Sequence, residues 1–205
     1  MSLISRFAHR KLLSIKLVST ALAATTLALP SLASPVLKTD AANSSVSLVF
    51  KQMNVPVEAK FKQFSAQIEF DATQPKAAKA KVDIKIGSFD LGDPQYNQEV
   101  LKKEWLNAAR FPGATFASTA MTPSAGPATG TTAGSKFDVT GQLNIKGKTQ
   151  TVRFPLSVKS SGANYIFEGS LPISRLAFNI GDGEWRDTAM VADQVIIKFH
   201  LTATK

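Results

Sequence analysis

The chain has 205 residues, with 24 Lys and Arg, 15 Asp and Glu and no Cys, and its formal net charge is +9. Without cysteine it can form neither a disulfide nor a thiolate metal site, so a hydrophobic core must stabilise it. The basic residues are not gathered into a patch with interleaved aromatic residues, and no glycine-rich phosphate-binding motif occurs. The composition therefore argues against a nucleic-acid partner and a nucleotide site.

The first 33 residues have the pattern of a cleaved signal peptide. Four cations within residues 6–16 precede an apolar run over 17–29 that is too short to span a bilayer, and residues 31–33 offer a small-residue cleavage site. Removal of residues 1–33 would leave a chain of 172 residues with a net charge of +5, a size that suits one domain. We therefore expect an exported protein in a bacterial periplasm.

The remaining chain alternates apolar and polar residues in several segments. Residues 34–44 lack periodicity and are predicted to form a flexible leader into a single domain over 45–205. Period-two alternation predicts strands over residues 45–53, 57–71, 79–89, 115–121, 134–160 (two strands), 165–174 and 189–204. Between Phe61 and Phe64 the alternation shifts, which indicates a β-bulge or a bend.

The two strands within residues 134–160 give the most detailed prediction. If the turn is centred on Lys146-Gly147, residues whose numbers sum to 293 face each other, for example Val139 with Phe154. Both apolar sets then share one face, whereas a register slip by one residue would place one of them on the wrong side. The turn is either type I′ or type I with a bulge at Gly147.

One segment has a helical period instead. Over residues 94–109, Leu101, Trp105 and Ala108 share one face, and Pro112-Gly113 would end the helix. Residues 122–135 are predicted to be a loop because they are rich in Pro, Gly, Thr and Ala. About eight strands, one short helix and no βαβ alternation predict an all-β fold, an antiparallel meander closed into a barrel.

Residues that usually carry catalysis or bind metals are sparse after residue 33. His200 is the one histidine left, and it lies on the polar face of the last predicted strand, which disfavours a zinc site and a Ser-His-Asp triad. The acidic loop 181–187 does not fit an EF-hand, because Arg186 takes the place of an oxygen ligand and Asp187 that of the required glycine. We therefore predict a protein that binds no metal and is not an enzyme.

Three segments of the chain resemble the YceI-like family. They are residues 97–119 with Trp105-Leu106 and Phe111-Pro112, residues 139–149 with the hairpin pattern Thr140-Gly141 to Gly147-Lys148, and residues 178–201 with Gly181, Gly183, Trp185 and Val191-Ala192-Asp193. The segments occur in the family's order, and the similarity covers nearly all of residues 45–204.

This resemblance implies a lipocalin-like barrel that holds a polyisoprenoid or other amphiphilic lipid in an apolar tunnel. It also suggests a quinone such as ubiquinone, since members of the family occur beside or fused to membrane cytochromes of the b561 type. No cofactor other than the bound lipid is expected, and the oligomeric state, a homodimer included, stays open.

The tunnel wall is predicted from apolar residues on the inward faces of the strands. These residues are Phe50, Phe64, Ile68, Phe70, Ile84, Phe137, Val139, Phe154, Leu156, Phe167, Leu171 and Phe199. Arg175, Trp185 and Arg186 are predicted to lie at its rim, where polar groups would select the headgroup of the lipid.

Two other interpretations share this alternation. A barrel with a filled interior would be a structural or interaction module, associated with a b561-type cytochrome or a stress response. An outer-membrane barrel would face its apolar residues outward, but the lack of aromatic girdles and the long loop over residues 122–135 weigh against it.

Overall fold

The computed structural model describes residues 34–124 and 134–205. These residues form strands and one short α-helix, joined by turns and short 3₁₀ helices. The elements are β1 (Val36–Gln52), β2 (Val55–Phe61), β3 (Phe64–Glu69), β4 (Lys79–Lys85), β5 (Phe89–Asp90), α1 (Pro94–Val100), β6 (Gly113–Pro123), β7 (Ser135–Ile145), β8 (Lys148–Ser161), β9 (Asn164–Ser174) and β10 (Val191–Thr204). The predicted signal peptide and residues 125–133 of the predicted loop lie outside the described residues.

The strands form one antiparallel sheet that closes on itself. Consecutive strands pair from β6 to β10, β4 connects β6 to β3, and β1 pairs with both β3 and β10. Eight strands thus form a closed barrel, and β2 and β5 extend the sheet beside its rim. The predicted all-β barrel of about eight strands with one short helix is confirmed.

The hairpin of β7 and β8 has the predicted register. Val139 faces Phe154 and Phe137 faces Leu156, so every pair sums to 293. Lys146 and Gly147 have φ values of 50° and 75°, which identifies a type I′ turn because both central residues have positive φ. A type I′ turn does not favour lysine, but Lys146 Nζ donates a hydrogen bond to the carbonyl oxygen of Asn179 at 2.5 Å, so a contact outside the turn stabilises the residue here.

The bend predicted between Phe61 and Phe64 is also present. β2 pairs with the second half of β1, and β3 pairs with its first residues, with a register change of two residues between them. At the corner the backbone N–H of Lys62 donates to the carbonyl oxygen of Ser88, and that of Gln63 donates to Ser88 Oγ, each at 3.0 Å. Ser88 therefore replaces the ladder partners that the corner residues lose.

Two boundaries from the sequence are wrong. Residues 34–44 are not a leader outside the fold, because β1 begins at Val36 and Leu37 is buried in the core. The alternation disappears there because residues 41–44 form a bulge, in which Asp40 Oδ1 accepts hydrogen bonds from the N–H groups of residues 42 and 43.

The helix is the second correction, since α1 ends at Val100 and not near Pro112. Leu101 and Trp105 lie in a series of turns that follow the helix, and Asn107 adopts a positive φ of 50° that no α-helix can continue through. These turns, like a longer helix, place apolar side chains on one side of the segment, which explains the helical period in the sequence.

Gly147 offers a test of the hairpin turn. A Cβ at Gly147 would lie 2.7 Å from Cε1 of Phe111, whereas one at Gly162, which also has positive φ, would meet nothing within 4 Å. We expect Gly162→Ala to lower the free energy of unfolding by about 1 to 2 kcal/mol, the usual cost of the left-handed conformation. Gly147→Ala should lose clearly more, as measured by urea denaturation, and equal losses would contradict the Phe111 contact.

Candidate functional site

The interior of the barrel has two unlike halves, and one of them is filled by aromatic rings. Phe70, which is 1% exposed, packs edge-to-face against Phe137, Tyr165 and Phe167, with centroid distances of 6.1, 5.3 and 5.4 Å. These residues lie at the end of the barrel where β1 starts and β10 ends, and Ala203 there is fully buried. This end of the barrel is closed to a ligand.

The other half encloses an apolar cavity of ≈190 Å³. Its wall comes from residues of seven barrel strands, all except β3, and of β2 and β5 beside the rim. Thr115 and Arg175 are its polar members. The wall includes Val46, Leu48, Phe50, Val82, Ile84, Phe116, Leu143, Phe154, Leu171, Ile173, Val195, Ile197 and Phe199. An engineered apolar cavity of about 150 Å³ in another protein stays dry and binds benzene, so this space can hold part of an apolar ligand.

The burial of the wall residues agrees with an unfilled interior. Leu48, Phe116 and Ile197 point inward, yet they are only half-buried. Leu37, Ile68 and Phe167 also point inward but belong to the filled half, where each is less than 5% exposed. Other wall residues, such as Phe154 and Leu171, are 6% exposed, so the surface left accessible by the cavity is confined to part of its wall.

Two glycines position rings of the wall. Gly141 lies against the ring of Phe116, and Gly169 lies against the ring of Phe199, so closely that a Cβ on either glycine would collide with the ring. Gly169 and Phe199 are also direct partners in the β9–β10 ladder. The absence of a side chain on these glycines lets the rings lie flat against the sheet and keeps the centre of the barrel open.

The segment between β9 and β10 covers the cavity from one side and is held by Arg175. Arg175 is 1% exposed, and its guanidinium donates to the carbonyl oxygens of Val191, Ile180 and Ala192 at 2.7, 2.8 and 3.1 Å. Burial lowers the pKa of Arg175 from its ordinary value, and the charge of Asp193 acts in the opposite direction. Three carbonyl acceptors thus compensate part of the cost of burying this charge.

Trp105 covers the same end of the cavity. The guanidinium carbon of Arg175 lies 5.7 Å from the centre of the Trp105 ring, and the centroids of the Trp105 and Trp185 rings are 5.2 Å apart. Within the described residues, the buried Trp105 Nε1 has no hydrogen-bond acceptor. A buried donor without an acceptor is costly. Because this atom has almost no accessible surface, a bound group could accept a hydrogen bond from it only after neighbouring side chains move.

The predicted wall residues fall into two groups. Phe50, Ile84, Phe154, Leu171 and Phe199 line the cavity. The others do not: Ile68, Phe70, Phe137, Val139, Leu156 and Phe167 belong to the filled core, and Phe64 lies beside a shallow surface groove. That any of these residues contacts a ligand stays a prediction.

The predicted rim residues also differ from one another. Arg175 is not at a rim but is buried and lines the cavity. Trp185 is half-buried against Trp105, Arg186 is exposed, and neither of the two lines the cavity. The sequence interpretation missed Val46, Leu48, Val82, Phe116 and Trp105, although strand alternation could have identified the first four as inward-facing.

Two further observations limit the chemistry of the described part of the chain. Residues 34–124 and 134–205 contain no group of three His, Asp or Glu side chains that could hold a metal ion. No helix in that same part is long and apolar enough to cross a membrane.

Comparison with known proteins identifies the family. The model of the YceI-like domain matches residues 37–203. The chain belongs to the YceI-like family. Among curated YceI-like relatives, a UPF0312 protein of Azotobacter vinelandii is 32% identical over 112 residues, which are 55% of this chain and 50% of that protein. The chain spans about half the length of the curated relatives it matches.

Solved structures resemble this YceI-like barrel over most of its length. BcnA of Burkholderia cenocepacia is 50% identical, with a TM-score of 0.76 over 82% of this chain and 100% of that one. A polyisoprenoid binding domain from Saccharophagus degradans is 18% identical, with a TM-score of 0.64 over 82% and 97% of the two chains. At that identity the second similarity shows the fold alone.

Gly169 offers a test of how this YceI-like barrel keeps its cavity open. In Gly169→Ala, the added methyl group should push the Phe199 ring into the cavity and remove space for about two methylene groups. Burial of each methylene contributes about 0.8 kcal/mol, so the affinity for an apolar fluorescent dye should fall roughly tenfold.

The control is Gly87→Ala, because a Cβ at Gly87 meets nothing within 4 Å. Its dye affinity should equal that of the unchanged protein. Undiminished dye binding by a folded Gly169→Ala variant would show that Phe199 does not border the binding space.

Proposed function

We propose that this protein is a periplasmic carrier that binds an isoprenoid lipid, such as ubiquinone, in the cavity of its barrel and catalyses no reaction. The observation that carries the proposal is the unfilled apolar cavity inside an otherwise closed barrel. Its wall offers carbon surface and almost no polar group, which suits a hydrocarbon chain and not a sugar, a nucleotide or a peptide.

The cavity sets how a long ligand would be arranged. A volume of ≈190 Å³ exceeds that of a benzene-binding cavity by little, so it takes only part of a long chain. Because the rings around Phe70 close one end of the barrel, the tail would point toward that end. The headgroup would lie at the opposite end, beside Trp105 and Arg175, and longer chains would have to displace wall side chains.

The comparisons and the chain's first residues support the proposal without deciding it. The S. degradans domain of the same fold is described as polyisoprenoid binding. The signal-peptide pattern over residues 1–33 supports export to a periplasm. On the family resemblance alone, we propose a b561-type membrane cytochrome as a partner, and the oligomeric state, a homodimer included, stays open.

The alternative, a structural module with a filled barrel, has less support. It requires inward-facing side chains to fill the interior, and the half bordered by Leu48, Phe116 and Ile197 is unfilled. We therefore prefer the carrier.

Filling the cavity tests the carrier function directly. Val82 lines the cavity and Lys81, its neighbour on β4, has a side chain that is 57% exposed on the outer face. We expect Val82→Trp to occupy the space for the ligand and to abolish co-purification of lipid, measured by organic extraction of natively purified protein and mass spectrometry. Lys81→Trp should retain the lipid at the level of the unchanged protein.

The outcomes of this experiment are distinct. A stoichiometric lipid in both the unchanged protein and Val82→Trp would place the ligand elsewhere. Repeated preparations of the unchanged protein without any lipid, and without uptake of added ubiquinone, would contradict the carrier function itself.

Trp105 allows a separate test of the headgroup. We propose that the headgroup displaces neighbouring side chains and accepts a hydrogen bond from Trp105 Nε1, which has no acceptor within the described residues. Trp105→Phe keeps an aromatic ring and removes this N–H, so it should weaken the binding of ubiquinone, which has carbonyl and ether oxygens. The loss should be roughly tenfold, the usual size for one buried hydrogen bond. Squalene, an isoprenoid without oxygen, should bind the unchanged protein and Trp105→Phe with equal affinity. If ubiquinone and squalene lose affinity to the same extent in Trp105→Phe, Trp105 contributes only apolar contact and no hydrogen bond.

A further inference from the structure

An exposed apolar cluster lies beside the cavity, at the turn between β1 and β2. Met53 is 66% exposed, Val55 is 62% exposed and Met190 is 44% exposed. The backbone N–H of Met53 donates to the carbonyl oxygen of Met190 at 2.9 Å, which holds the turn against the residue that precedes β10. We call Met53, Val55 and Met190 the apolar tip.

Part of the apolar tip continues the wall of the cavity. Phe50 lines the cavity and pairs with Val57, so the side chains of these two residues lie on the same face of the sheet. Val55 lies on that face too, because alternate residues of a strand share one face. On the β10 side, Met190 directly precedes Val191, which lines the cavity, but neighbouring residues of an extended chain point to opposite faces, so Met190 borders this surface without continuing it. Phe50, Val57 and Val55 thus form an apolar strip from the interior to the outside of the molecule, with Gln52 as the polar partner opposite Val55.

The conformation of Met53 indicates that its side chain serves a purpose other than folding. Met53 and Asn54 have φ values of 49° and 66° and form a two-residue turn, in which Asn or Gly would be favoured at both positions. Methionine at the first position loses conformational free energy and also exposes an apolar side chain to water. The stability of the hairpin does not explain a large apolar residue at this position. Insertion of its side chain into another apolar surface explains it better.

The charges around the apolar tip indicate which kind of surface the tip would contact. Lys51 and Glu58 lie next to it on the hairpin, and Arg186 and Asp187 precede Met190, so cations and anions are balanced. A balanced surround favours neither an anionic membrane nor an acidic protein. It fits a bilayer surface entered by apolar contact, which is also where an isoprenoid lipid of negligible solubility in water is found.

We infer that the apolar tip docks on a phospholipid bilayer and passes the lipid between the bilayer and the cavity. The inference rests on the proposed carrier function. Flexible methionine side chains suit this contact because they adapt to an irregular apolar surface. The small area of three side chains gives a brief contact, as transfer requires, and not a permanent anchor.

The test measures transfer of an apolar polyene dye from the loaded protein to vesicles of neutral phosphatidylcholine. In the triple variant Met53→Asn, Val55→Thr and Met190→Gln, asparagine suits the positive φ, so folding should be retained. We expect the transfer rate to fall roughly tenfold or more, while the affinity for the dye without vesicles stays within about twofold. The rate should depend little on salt or on added anionic lipid.

Val36→Thr is the matched control, because Val36 is 70% exposed but lies at the opposite end of β1, by the filled half of the barrel. It should leave the transfer rate unchanged. An equal rate in the triple variant and the unchanged protein would overturn the inference, as would a loss seen only when a membrane protein is present in the vesicles. If the unchanged protein binds no dye, that result contradicts the proposed carrier function itself, and the docking inference fails with it.

Discussion

The pairing of β1 with β10 is the constraint on which the rest of the structure depends. Their ladder runs from Lys38 with Thr204 to Gln52 with Val191, and it joins the two ends of the described sheet. Without it, both strands would present an open edge and the inward side chains would face water on one side. Closure fixes which side chains point inward, and it fixes an interior volume that those side chains must then fill.

The chain fills that volume unevenly, and the uneven filling has a cost. Rings around Phe70 fill one half, whereas the other half keeps a cavity of ≈190 Å³. Measured core cavities in another protein cost about 24 cal/mol per Å³, which would amount to about 5 kcal/mol here, comparable with the whole stability of many domains. A ligand that fills this space would restore the lost contacts, so binding and stability are coupled. A cavity of this size is therefore hard to explain in a barrel whose purpose is only structural.

Much of the fold follows from local patterns, whereas the site depends on position along the barrel axis. The pairing of Val139 with Phe154 could be predicted because both strands and their turn are contiguous in sequence. Alternation also shows that the side chains of Phe137 and Phe154 point inward, but it does not show where along the barrel axis each of them lies. Phe137 lies in the filled half and Phe154 in the cavity wall, and only the three-dimensional register of eight strands distinguishes them. Trp105 and Arg175 are further apart in sequence, so their contact could not be predicted from periodicity either.

The filled half also determines at which end of the barrel a ligand could enter. Because the Phe70 rings block one end of the barrel, the proposed ligand would enter and leave at the end covered by Trp105 and Arg175. The proposed headgroup position and the entrance would therefore share one small region, which Arg175 borders. Its guanidinium donates hydrogen bonds to the carbonyl oxygens of Ile180, in the segment between β9 and β10, and of Val191, the first residue of β10. The guanidinium of Arg175 thus fixes the shape of this end of the barrel through backbone contacts, and the surface left for a ligand is the apolar wall.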